Sequence, residues 1–85
     1  MDVITPPSDA KLIWKCRRGM LELDLILSSF IKNGLVHLTD PERVVFERLL
    51  EEPDPDLYAY FMGQDSPHDP ELATLVTHLR TQHFI

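Results

Sequence analysis

The sequence predicts an all-α fold, a small compact five-helix antiparallel array, on three observations. Apolar residues recur with the 3.6-residue period in separate stretches, as in Leu23, Ile26, Leu27, Phe30 and Ile31. Three Asp-Pro pairs, Asp40-Pro41, Asp54-Pro55 and Asp69-Pro70, open further stretches of this kind. Nowhere does the strict apolar–polar alternation of a half-buried strand compete.

Residues 1–7 read as a frayed N-terminal arm, because Pro6-Pro7 blocks a helix. Ser8 can cap the first helix, expected over residues 9–18 with Leu12, Ile13 and Cys16 as its apolar face. Trp14 falls off that stripe. It either covers the edge of the array or stands exposed as an aromatic anchor, and the covering role is the expectation. Gly19 is the strongest helix breaker between Lys11 and Lys32. It is expected at the C′ position of the first helix, where a left-handed backbone suits a residue without Cβ. Arg17 and Arg18 would then end the first helix, and Glu22 and Asp24 would begin the second. Each charge would meet a favourable dipole end, contributing roughly 0.3–1 kcal/mol. On charge and capping alone, residues 17–24 are a well-formed helix joint.

The second helix is expected over residues 20–33, with Met20 extending the stripe of Leu23 to Ile31 and Gly34 at C′. Residues 35–38 form a short apolar connector. Each Asp-Pro pair fits an N-cap followed by the first helical residue. Aspartate accepts from orphan N–H groups, and proline lacks only a donor that has no partner there. Thr39 with Glu42 offers a capping box one residue earlier. The third helix, residues 41–51, would bury Val45, Phe46, Leu49 and Leu50. The fourth, residues 55–62, would bury Leu57, Tyr58 and Phe61 and stop at Gly63. The fifth, residues 70–83, would bury Leu72, Leu75, Val76 and Leu79. No linker is long enough to divide the chain, so residues 1–85 are expected to be one helical domain.

A net charge of −6 argues against a general nucleic-acid binder, although Lys11, Lys15, Arg17 and Arg18 supply a local basic patch. The single cysteine, Cys16, excludes an internal disulfide and suggests a reducing compartment. Nearby cations lower thiol pKa values, but no histidine close in sequence would activate it, and it reads as structural. The N-terminus lacks a secretory signal or transit-peptide character, and no window approaches a membrane span. A cytosolic protein is expected. His37, His68, His78 and His83 lack metal-ligand spacing. The carboxylates of residues 51–56 read as loop solvation and capping. No glycine-rich phosphate loop and no catalytic triad spacing is present. Binding pockets run to about 300–1,000 Å³, and a chain of 85 residues can barely enclose one. An interaction module is therefore expected rather than an enzyme, with no catalytic or metal site.

The stretch Trp14-x-Cys16-Arg17-Arg18-Gly19-Met20-x-Glu22-Leu23-Asp24 resembles the signature of the succinate dehydrogenase assembly factor family (SdhE, also called YgfY or CptB-like), whose motif is RGxxE. Leu49-Leu50-Glu51 and Asp54-Pro55-Asp56-Leu57 resemble a later segment of that family. Leu21 departs from the pattern, since members often carry a basic residue there, so a charge contact at that position is not expected. The resemblance implies a cytosolic monomer that binds the flavoprotein subunit of succinate dehydrogenase, and also of fumarate reductase. It would promote covalent attachment of FAD to that subunit while holding no cofactor stably itself. Arg18, Gly19 and Glu22 would carry the motif, flanked by Arg17 and Asp24, with Trp14 as an apolar anchor. Arg18 would bond carboxylate or carbonyl groups of the partner, and Gly19 would allow close approach. Glu22 would accept from partner donors or hold Arg18. The alternative, also attached to this family, is an antitoxin-like regulatory binding protein.

Overall fold

A computed structural model describes residues 6–83; residues 1–5 of the expected N-terminal arm lie outside the described residues. Among the described residues there are five α-helices, a short 3-10 turn and no strand. The order is α1 (Asp9–Lys15), α2 (Leu21–Asn33), the turn Leu35–His37, α3 (Asp40–Leu49), α4 (Asp54–Phe61) and α5 (Pro70–Thr81). α3 packs on α5, and α4 packs on both α2 and α5.

The expected stripes meet in one core. Leu12, Leu23, Leu27, Phe30, Phe46, Leu49, Leu57 and Leu79 are fully buried. The rings of Phe30 and Phe46 lie 5.0 Å apart and tilted by 55°, a geometry that contributes about 0.5–1.5 kcal/mol beyond the buried area. Val45, Ile26, Ile31 and Met20 pack at its edge. Apolar positions in α1 and α4 differ from expectation. Ile13 is exposed, because α1 turns only Leu12 and Cys16 inward. In α4 Tyr60 is buried, while Tyr58 is only half-buried.

Helix ends follow the capping chemistry, with instructive exceptions. Ser8 accepts from the Lys11 N–H at 3.2 Å. α3 uses the capping box: Thr39 Oγ1 accepts from the Glu42 N–H at 3.3 Å and Glu42 Oε1 from the Thr39 N–H at 2.8 Å. Asp40 is thus the first helical residue and not the cap. Asp69 does cap α5, accepting from the Glu71 N–H at 2.8 Å. Asp54 does not cap α4, whose N-cap is Pro53, because its carboxylate is taken by Arg18. Gly63 (φ +75°) ends α4 in a Schellman motif: its N–H donates to Tyr60 O and that of Gln64 to Ala59 O, at 3.2 and 2.9 Å. Gly34 is not left-handed (φ −123°). The chain tightens there into the 3-10 turn, which carries Leu35 and then Leu38 into the core.

Candidate functional site

α1 ends at Lys15, short of the expected Arg18. The Cys16 N–H bifurcates between Leu12 O and Ile13 O, and the Arg17 N–H reaches only to Trp14 O. The Arg18 N–H then leaves the helical ladder altogether and donates to Asp24 Oδ1 at 2.9 Å. A carboxylate in the first turn of α2 therefore draws the chain out of α1. Gly19 lies beyond the C′ position and is left-handed all the same, at φ +88°. A Cβ built on it would meet no atom within 4 Å. The bend is needed by the backbone, and the space over it is open.

Arg18 closes the joint from beneath. Its guanidinium donates to Asp54 Oδ1 at 2.7 Å, Leu50 O at 2.7 Å, Glu52 O at 2.8 Å and Lys15 O at 3.2 Å. A guanidinium has five N–H donors, so four are engaged within the chain. The carboxylate and carbonyl partners expected on another protein are here supplied by the α3–α4 connection. Arg18 is a clamp that sets the joint on that connection. Asp54 completes it, and spacing alone gave no sign of this: the sequence shows Asp54 only as a capping aspartate.

The other motif residues face outward. Trp14 is 74% exposed and not the edge cover that its position suggested; a seven-residue helix with one buried stripe has no neighbour on that side. Arg17 and Glu22 are exposed, and among the described residues Glu22 makes no hydrogen bond or ion pair to hold Arg18. Asp24 does the holding. Leu21 and Leu25, one turn apart on α2, are 68% and 62% exposed and extend the apolar surface beside the joint. Trp14 and Arg17 line a depression beside Lys15, Arg18 and Leu50. The expected basic patch is largely neutralised: Lys11 and Lys15 pair with Glu47, Lys15 also with Glu51, and Arg18 with Asp54. Lysine at position 15 is held above its ordinary pKa, first by the hydrogen bond to Glu51.

Cys16 is buried at the foot of the joint. Burial pushes its thiol up to about 12, while the Arg18 charge pulls weakly the other way. The folded state thus keeps a proton that the unfolded chain releases near 9.0. The stability this contributes is present below that value and falls as pH rises from there towards about 12. Iodoacetamide at pH 8 should leave Cys16 unmodified in the native protein and label it fully in denaturant. Fast labelling of the native protein would show an accessible thiolate instead.

Among the described residues no group of three or more His, Cys, Asp or Glu side chains is placed to hold a metal ion. His78 lies 3.5 Å from Glu42, an ion pair when protonated. No helix among the described residues is long and apolar enough to cross a membrane.

Residues 10–83 match the model of a family described as flavinator of succinate dehydrogenase. The chain is 49% identical over 71 residues to the FAD assembly factor SdhE of Shewanella oneidensis, covering 84% of this chain and 87% of that protein. It is 48% identical to the FAD assembly factor SdhE of Legionella pneumophila strain Lens, over 84% and 89% of the two chains. The corresponding protein of Coxiella burnetii is 41% identical over 84% and 87%.

Proposed function

Since the chain belongs to the family of flavinators of succinate dehydrogenase, we propose that it binds the flavoprotein subunit of that enzyme and promotes covalent attachment of FAD to it. The relatives named above carry the name FAD assembly factor, which favours assembly over the antitoxin-like alternative. The observation that carries the reading to residues is the α1–α2 joint. It presents an open, left-handed Gly19 between exposed Trp14, Arg17 and Glu22, on a base clamped by Arg18 and Asp24.

In this reading Trp14, Arg17, Gly19 and Glu22 meet the partner, and Arg18 and Asp24 position them. The flavin and the histidine that receives it belong to the partner's active site. This chain contributes by holding the partner where the two meet, catalysis by orientation, or by shifting the population of a mobile partner domain. It acts as a single helical domain, a cytoplasmic monomer without a catalytic residue or a stably held cofactor of its own. The flavoprotein subunit of fumarate reductase is a second partner.

The test uses a host in which the gene is deleted. Covalent flavin on the flavoprotein subunit, seen by fluorescence in denaturing gels, should disappear and return with the wild-type gene. Glu22→Ala should fail to restore it although it folds normally. The lost helix-end charge costs at most about 1 kcal/mol, against a domain stability of roughly 5–15 kcal/mol. Full restoration by the Glu22→Ala protein would reduce Glu22 to a helix-end charge.

A further inference from the structure

The chain is acidic, yet one groove on it collects unpartnered cations. Of the eight Lys and Arg residues, Lys11, Lys15, Arg18, Arg43 and Arg48 are ion-paired. That leaves Arg17, Lys32 and Arg80, whose side chains have no hydrogen-bond or ion-pair partner among the described residues. Arg17 and Lys32 line the same open groove between α1 and α2, of about 580 Å³. Its apolar wall is Ile13 from α1 and Ile31 from α2, and Ser28 and Asp24 supply polar groups. Asp24 already accepts the Arg18 N–H, so the groove carries two cations against one engaged carboxylate in a molecule of net charge −6.

Lysine and arginine side chains left without partners on the rim of an apolar cleft are poised for anions, and charge complementarity of this kind selects partners and speeds encounter. The volume lies in the ordinary range of binding clefts, about 300–1,000 Å³. The groove is continuous with the Gly19 joint through Arg17. We propose that the α1–α2 groove seats a segment of the flavoprotein subunit that carries acidic side chains beside apolar ones. Its carboxylates meet Arg17 and Lys32, and its apolar residues lie on Ile13 and Ile31. The inference rests on the proposed function, and it adds α2 as far as Lys32 to a surface that the motif alone confines to the joint.

The experiment measures binding of the purified flavoprotein subunit to wild type, Arg17→Glu, Lys32→Glu, Ser28→Trp and Arg80→Glu, at low and high salt. Melting temperatures confirm that each variant is folded; the four positions are exposed. Arg17→Glu and Lys32→Glu should each weaken binding by about tenfold or more at low salt, with a shallower salt dependence. Ser28→Trp fills the groove without changing charge and should also block binding. Arg80→Glu, outside the groove, should bind as wild type does. Normal binding by both Lys32→Glu and Ser28→Trp overturns the groove while leaving the proposed function intact. Failure of wild type to bind the subunit at all overturns the proposed function itself. A parallel titration with FAD alone separates the remaining occupant: FAD binding that Lys32→Glu abolishes would assign the groove to the dinucleotide and overturn the segment proposal.

Discussion

Arg18→Ala is expected to lower the melting temperature by about 12–24 °C. Removing one partner of a buried, hydrogen-bonded charge pair costs about 3–5 kcal/mol. The Arg18 side chain is 17% exposed, so the lower end, about 3 kcal/mol, applies. Each 1 kcal/mol shifts the midpoint of a domain this small by about 4–8 °C. The loss is large because several groups are orphaned together: the Leu50 and Glu52 carbonyls lose their donor, and Asp54 loses its counter-charge. Arg18→Lys should recover only part of the loss, since an ammonium cannot fork to four acceptors held in fixed positions. Thermal unfolding followed by circular dichroism decides the matter. A drop of under about 4 °C for Arg18→Ala would mean that the clamp does not hold the joint. Restoration of covalent flavin by a stably folded Arg18→Ala protein would also remove Arg18 from the function.

Gly19→Arg should abolish binding to the flavoprotein subunit while leaving most molecules folded. A non-glycine residue in the left-handed region costs about 1–2 kcal/mol. Nothing lies within 4 Å of the new Cβ, so no steric cost is added. Gly19→Ala therefore sets the backbone cost alone, about 4–16 °C in melting temperature, and Gly19→Arg should melt close to it. The two variants part company only if another surface covers the bend. Loss of pull-down with arginine, at a melting temperature near that of alanine, places Gly19 under the partner. Normal binding by the folded arginine variant would put the interface elsewhere.

The elements were legible because each was written twice, once in its apolar period and once in its terminal residues. Leu72, Leu75, Val76 and Leu79 named the buried face of α5, and Asp69-Pro70 named its start. What failed were the ends of helices whose polar groups have distant partners. Asp54 reads locally as a cap, and only the folded chain shows that Arg18 takes its carboxylate. α1 stops early for the same reason, since Asp24 draws off the Arg18 N–H. Gly34 carries the usual sign of a left-handed stop, but tertiary packing of Leu35 and Leu38 asks for a tighter right-handed turn. At the candidate site the left-handed Gly19 was readable, while the sequence leaves Glu22 open between an outward role and holding Arg18, and its exposure fits the first. The exposure of Trp14 and the inward use of Arg18 were not readable, because both depend on which neighbours the short α1 has.

The Arg18 bonds to Leu50, Glu52 and Asp54 span 32 to 36 positions of the chain. Contacts of that span form late, after the loop between them has closed. A nascent chain that has made α1 and α2 but not the start of α4 holds every motif residue and still lacks the shape they make together. The shape of the joint therefore waits for the chain to reach Asp54 and dock it against Arg18. On the proposed function, a copy that lacks residues 50–54, or has not yet docked them under Arg18, presents no clamped joint to the partner.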